Sequence, residues 1–245
     1  MTEARANMMI SVWRGMGSTG KFETFEVPAQ DNQTVLDVVT WIQQAADPSL
    51  SYRYACRVGM CGSCAMMVNG QPRWTCRTHV KRVLRDNQIE IAPLRNLPVI
   101  KDLATDMDPF FDKWVKAGGV HRASRSRDMP IQEVKPDTAQ RQAADNGIEC
   151  INCAVCYAAC DTVSSNRDYL GPAALQRAWT LFNDEKVVDK QAVLDAVSGS
   201  GGCHNCHTQG SCTKFCPNDL DPLGSIAGLK RETAKSFFRR GSKQC

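Results

Sequence analysis

Twelve of the chain's thirteen cysteines fall into three tight runs, and no other feature limits the fold as strongly. The first run is Cys56, Cys61, Cys64 and Cys76, spaced C-x4-C-x2-C-x11-C. The second is Cys150, Cys153, Cys156 and Cys160, spaced C-x2-C-x2-C-x3-C. The third is Cys203, Cys206, Cys212 and Cys216, with Pro217 directly after it. An iron–sulfur cluster needs thiolates that converge from one loop, with one more arriving from elsewhere in the chain. Each run is therefore expected to form a loop around a metal centre, and the three together imply a path for electrons.

The bulk numbers agree with that reading. At 245 residues the chain has room for two modest domains, each with its own core. Hydrophobic residues make up 42% and charged residues 23%, the balance of an ordinary soluble protein. No window of about 18 uninterrupted apolar residues is present, so no transmembrane helix is expected. The first residues carry Glu3 and Arg5 and lack the apolar core of a secretion signal. A cytosolic setting keeps thiols reduced, which makes the cysteines metal ligands rather than disulfides. The net charge of +4 is mild and fits a solvated basic surface better than a nucleic-acid site.

The pattern divides near residue 105 into an α+β arrangement: residues 1–105, rich in strands, and residues 106–245, helical. Met9–Trp13 and Glu23–Val27 read as a hairpin, with Gly15, Gly17 and Gly20 supplying the turn. Thr34 reads as a helix N-cap, with Asp37 three positions on and Val38, Val39, Trp41 and Ile42 following. Ala65–Val68 and Arg73–Cys76 flank Asn69-Gly70, a strong hairpin signal, and Ile89–Ala92 supplies another strand. Hairpin, helix, metal loop and further strands predict a β-grasp like that of plant-type ferredoxins. Helices are expected over 106–116, 138–146, 172–182, 190–197 and 222–239, with Pro172 as the first residue of its helix. The polar stretch 118–136, with Arg122, Arg125 and Arg127, reads as a surface connection, or else a docking surface for an acidic partner.

Three spacings predict three centres. C-x4-C-x2-C is the plant-type [2Fe–2S] pattern, so Cys56, Cys61, Cys64 and Cys76 are its candidate ligands. Gly59 and Gly62 let that loop curl so that backbone amides can point at the sulfurs. Structural zinc is the alternative, but such sites pair C-x2-C with a second close pair, which the x4 and x11 gaps do not provide. The second run has the bacterial ferredoxin spacing, in which the fourth cysteine serves the other cluster. Aligned on that template, the third run reads Cys206-x2-Gln209-x2-Cys212-x3-Cys216, with Gln209 where the middle cysteine would stand. One iron is then left without a thiolate, so a [3Fe–4S] centre on Cys206, Cys212 and Cys160 is expected. Cys150, Cys153, Cys156 and Cys216 would hold a [4Fe–4S] centre. A [4Fe–4S] centre with a non-cysteine ligand is the alternative at the Gln209 position. Cys203-His-Asn-Cys206-His207 also matches the c-type haem motif C-x-x-C-H, but the ferredoxin frame needs Cys206 and haem attachment suits an exported protein. Cys203 is read as a spare thiol near the cluster, and Cys245 as a free surface cysteine.

This order of centres resembles the iron–sulfur subunits of succinate dehydrogenase and fumarate reductase. The likeness runs from about Trp13 to Lys230. It includes Ser51–Cys64, Leu94–Asp102, Tyr169–Ala174 and Cys216–Pro222. The resemblance implies an electron-transfer subunit of an oxidoreductase complex, with substrate chemistry on the FAD of a flavoprotein subunit. It also implies a membrane anchor of one or more subunits, with haem b an option there, and a quinone as the electron partner. The complex would lie at the cytoplasmic face of the cell membrane. His207 and Lys230 match residues near the quinone in that family. Ubiquinone-linked members carry a Pro and a Trp pair shortly after the cysteine that matches Cys160, where this chain has Asp161-Thr-Val-Ser164-Ser165. Tyr157-Ala-Ala-Cys160 resembles the fumarate reductase branch, whereas Cys206-His207 resembles the dehydrogenase branch, so the physiological direction stays open. A free-standing ferredoxin-like carrier is the remaining alternative.

Overall fold

The computed structural model describes residues 7–241; the remaining positions, among them Glu3, Arg5 and Cys245, lie outside the described residues. The chain packs as two compact units. The first runs to Met107 and includes Ile151–Ala159; the second comprises Asp108–Cys150 and the residues from Cys160 onward.

In the first unit β1 (Met8–Met16) and β2 (Thr19–Val27) form an antiparallel hairpin. The expected glycine turn is shorter than the sequence suggests. Gly15 and Gly20 pair with each other inside the ladder, because the Trp13 ring lies over them. A Cβ on Gly20 would come within 2.3 Å of that ring, so only a glycine fits there. Helix α1 (Val35–Trp41) starts with a reciprocal capping box between Thr34 and Asp37, as their spacing predicts, and continues as a wider turn over Ile42–Ala46. Strands β3 (Ala65–Val68) and β4 (Gln71–Trp74) meet across Asn69 and Gly70, both at positive φ. The strand expected to reach Cys76 ends at Trp74, and Thr75–Arg77 forms a tight 3-10 turn. The one-turn α2 (Val80–Val83) leads to β5 (Gln88–Ala92).

The sheet order is β2-β1-β5-β3-β4, with β1 and β5 parallel and the other pairs antiparallel. Alternation along β1 and β5 turns Met8, Ile10, Val12, Ile89 and Ile91 to one face. Helix α1 covers that face with Val35, Val38 and Val39, and the core closes with Leu50, Met66 and Leu103. Each such side chain stabilises the fold by about 1.5–3 kcal/mol of apolar burial. A second, two-stranded sheet, β6 (Val99–Lys101) and β7 (Ala104–Thr105), had no signal in the sequence.

The second unit is helical. Helices α3 (Asp108–Lys116) and α4 (Ala139–Ile148, capped by Thr138) precede the stretch Ile151–Ala159, whose single-turn α5 (Val155–Ala158) belongs to the first unit. There follow α6 (Asp161–Ser165), α7 (Pro172–Asn183), α8 (Lys190–Val197), α9 (Ser211–Lys214) and α10 (Pro222–Gly241). Helix α7 begins at Pro172 as predicted and packs against α3, α4, α8 and α10. Its Ala173, Ala174, Leu175, Ala178 and Leu181 are buried, and the small residues let its neighbours approach closely. The arginine-bearing stretch 118–136 has no helix; Ala123 makes an isolated bridge to Val187. Among the described residues no helix is long and apolar enough to cross a membrane.

Candidate metal centres

The first unit gathers Cys56, Cys61, Cys64 and Cys76. Cys64 lies just before β3 and Cys76 just after β4, and Thr75 ties the two ends. Its N–H and its hydroxyl both donate to the Cys64 carbonyl, at 3.3 and 2.8 Å. The loop between Cys56 and Cys64 curls so that Val58 and Met60 N–H groups donate to Cys56 Sγ, at 3.5 and 3.2 Å. The Cys56 N–H donates to Cys61 Sγ at 3.5 Å. Gly62 permits the curl at φ +70, and a Cβ there would also lie 2.5 Å from that of Cys153. On the loop's outer side Arg57 pairs with Asp37 at 3.1 Å, joining the residue after Cys56 to the capped start of α1.

Two of the four thiols are shifted by their surroundings. Ser63 and the Cys56 N–H pull Cys61 down to about 6, whereas burial, then Cys64, pushes Cys76 up to about 12. Several thiolates held together repel, and a cationic metal core relieves that repulsion. The donor set thus fits a cluster. The thiols do not close on a single point: among the described residues no group of three or more His, Cys, Asp or Glu side chains is placed to hold one metal ion, whereas a cluster asks each thiolate to reach only one of several irons.

In the second unit the thiols of Cys206, Cys160 and Cys212 all act on the buried Tyr169 hydroxyl. Burial, and after it the charges of Cys160 and Cys206, push Cys212 up to about 11. The Thr208 N–H donates to Cys206 Sγ at 3.4 Å. Gln209, at the position of the missing cysteine, is exposed, as is His207. Lys230 reaches from α10 to donate to the Cys206 carbonyl at 2.7 Å. Cys216 follows α9 in the loop where Asn218 donates to the Glu149 carbonyl at 2.9 Å, next to Cys150. Cys153 and Cys156 lie in the part of the second run that packs with the first unit. Cys203 is buried, 3.7 Å from Thr233 Oγ1, and burial raises its thiol. His204 Nε2 shares a 2.9 Å hydrogen bond with the same Thr233 hydroxyl.

Several supporting residues carry no motif of their own. Asp102, nearly inaccessible, accepts from Arg14 Nε at 3.1 Å, from Gly15 N–H at 3.0 Å and from Ser51 N–H at 2.9 Å. It thereby fixes the segment that enters the first cysteine loop. Arg95 and Asn96 donate to the carbonyls of Ala158 and Tyr157, at 3.1 and 2.8 Å, and seat α5 in the first unit. The stretch Leu94–Asp102 signalled these residues as a group but not their contacts. Thr233 and Tyr169 are found only by burial and geometry.

Comparisons with known proteins agree with the layout. A family model for a 2Fe-2S iron-sulfur cluster binding domain matches residues 9–112, and one for a 4Fe-4S dicluster domain matches residues 149–221. The fumarate reductase iron-sulfur subunit of Mycobacterium tuberculosis (strain CDC 1551 / Oshkosh) is 35% identical over 91% of this chain and 90% of its own length. The succinate dehydrogenase iron-sulfur subunit of Paracoccus denitrificans is 34% identical over 80% of this chain and 74% of its own. A chain from the structure titled Mycobacterium smegmatis Sdh1 complex in the apo form has the same fold, at TM-score 0.85 and 24% identity, covering 96% of this chain and 98% of its own.

Proposed function

The chain belongs to the iron–sulfur subunit family of succinate dehydrogenases and fumarate reductases, and from that premise we propose that it relays electrons between a flavoprotein subunit and a quinone at a membrane anchor. In this reading the first unit is a β-grasp, which its mixed five-stranded sheet and covering helix support. Cys56, Cys61, Cys64 and Cys76 hold a [2Fe–2S] centre. Cys150, Cys153, Cys156 and Cys216 hold a [4Fe–4S] centre. Cys160, Cys206 and Cys212 hold a [3Fe–4S] centre. Successive one-electron carriers divide a long transfer into short jumps, and the protein sets each potential through hydrogen bonds and exposure. The relay needs no acid, base or nucleophile from this chain; succinate and fumarate chemistry belongs to the FAD of the partner.

The observation that supports this best is the convergence of Cys160, Cys206 and Cys212, from two separate runs, while Gln209 stands exposed in the place of a fourth thiolate. That arrangement favours three irons over four. Lys230 and His207 are assigned to the quinone end, where the Lys230 ammonium bound at the Cys206 carbonyl places a positive charge beside the last cluster loop. The complex is placed at the cytoplasmic face of the cell membrane, attached through its anchor. Purification from the native host in mild detergent tests the proposal. Co-purification of a flavoprotein and an anchor with succinate–quinone activity supports it, and a lone protein carrying the clusters favours the free-standing carrier.

A further inference from the structure

We propose that the Tyr169 hydroxyl donates a hydrogen bond to a sulfur of the cluster held by Cys160, Cys206 and Cys212, and thereby raises that cluster's reduction potential. The inference rests on the assignment of those three cysteines to a [3Fe–4S] centre.

Tyr169 is wholly buried at 0% exposure, between α6 and α7. Its backbone is held on both sides: its N–H donates to the Asn166 carbonyl at 3.2 Å, and the next N–H, of Leu170, donates to Gly201 at 2.8 Å. Its hydroxyl is buried too, and no protein atom completes a hydrogen bond of ordinary geometry with it. A buried phenol normally finds a partner, and leaving one unsatisfied costs about 1–3 kcal/mol. The groups that act on it are the thiols of Cys206, Cys160 and Cys212, with Cys206 the strongest of them. A tyrosine phenol is protonated at neutral pH, so toward anionic sulfur it donates.

The direction of the effect follows from charge. Reduction adds one electron to the cluster, so the sulfurs become more negative and the donated hydrogen bond strengthens. A bond that is stronger in the reduced state favours reduction. A tyrosine acting only as packing would be replaced by phenylalanine without consequence for the potential.

The test is an EPR-monitored redox titration of the assembled, cluster-bearing protein with Tyr169→Phe. We expect the reduction equilibrium of the [3Fe–4S] centre to fall about tenfold, or about 59 mV for a one-electron couple, with the [2Fe–2S] midpoint unmoved. An unchanged [3Fe–4S] midpoint in a variant that retains the signal overturns the proposal. Site-specific replacement of Tyr169 by 3-fluorotyrosine covers the case in which the phenylalanine variant loses its cluster. That isosteric, stronger donor should move the midpoint upward, and no movement overturns the proposal. Absence of any [3Fe–4S] signal from the unmodified protein instead defeats the cluster assignment, and the proposal with it.

Discussion

Asp102 ties the entry to the first cysteine loop to the end of β1. It is buried with Arg14, the pair having side-chain exposures of 3% and 11%, and it accepts two backbone N–H groups, from Gly15 and Ser51. Asp102→Ala leaves the guanidinium with Asp47 and Ser49 as its remaining partners and orphans both amides. Breaking a buried pair costs about 3–5 kcal/mol, and each orphaned amide about 1–3 kcal/mol; these losses overlap because one group makes all the contacts. A net loss of about 3–5 kcal/mol from the first unit is expected. Asp102→Asn keeps one acceptor oxygen and should lose about half of that. Because a chain of two units need not unfold in one step, native-state hydrogen exchange at β1 and β5 is the suitable assay. At about 1.4 kcal/mol per tenfold, the slowest amides there should exchange roughly 150- to 4,000-fold faster in the alanine variant. The [2Fe–2S] visible absorption should weaken with them, since Ser51 leads directly into Cys56. Acceleration of less than tenfold, or equal effects of Ala and Asn, would refute this role for Asp102.

Gly62→Ala meets both a positive φ and a contact of 2.5 Å with Cys153, so it should reduce [2Fe–2S] content in purified protein; full content would show the loop able to relax. Ile89→Ala, which empties a site paired with Ile10 in the core, should cost about 2–5 kcal/mol in the same exchange assay, against about 0.5–1.5 kcal/mol for Ile89→Val. Asp47 is held down to about 2, first by Ser49 and then by Arg14. Its depressed value means that its contribution is complete above the ordinary carboxylate range near 3.8 and is lost as pH falls through about 2. Between those values the wild type should lose stability more steeply than Asp47→Asn, and parallel pH profiles would contradict this. Gln209→Cys supplies a fourth thiolate, so the EPR signal of the oxidised protein should diminish; an unchanged signal in a folded variant counts against the three-iron reading.

Much of this was legible in the sequence because its signals are local. Thr34 with Asp37, Asn69-Gly70 and Pro172 each specify their own structure through one backbone requirement, and each stands where predicted. The first cysteine loop is legible for the same reason, with its spacing setting its curvature. Element ends were less so. The β1–β2 ladder runs past its glycines because Trp13 packs over them, and β4 stops short because Thr75 turns to the Cys64 carbonyl. Both are contacts across the sheet that no local pattern records. The small β6–β7 pair and the one-turn helices near the cysteines are too short to show periodicity. Tyr169 and Asp102 were visible only as letters within longer stretches, since burial and the lack or abundance of partners decide what each does.

On the proposed assignment one chain carries three distinct centres, the last of them short of one iron. EPR of the intact protein, first air-oxidised and then reduced in steps, addresses it directly. The oxidised sample should show a [3Fe–4S] signal that is lost on reduction, and a [2Fe–2S] signal should appear under mild reductant. An oxidised sample with no such signal, while the [2Fe–2S] signal still develops, would contradict the assignment of Cys160, Cys206 and Cys212.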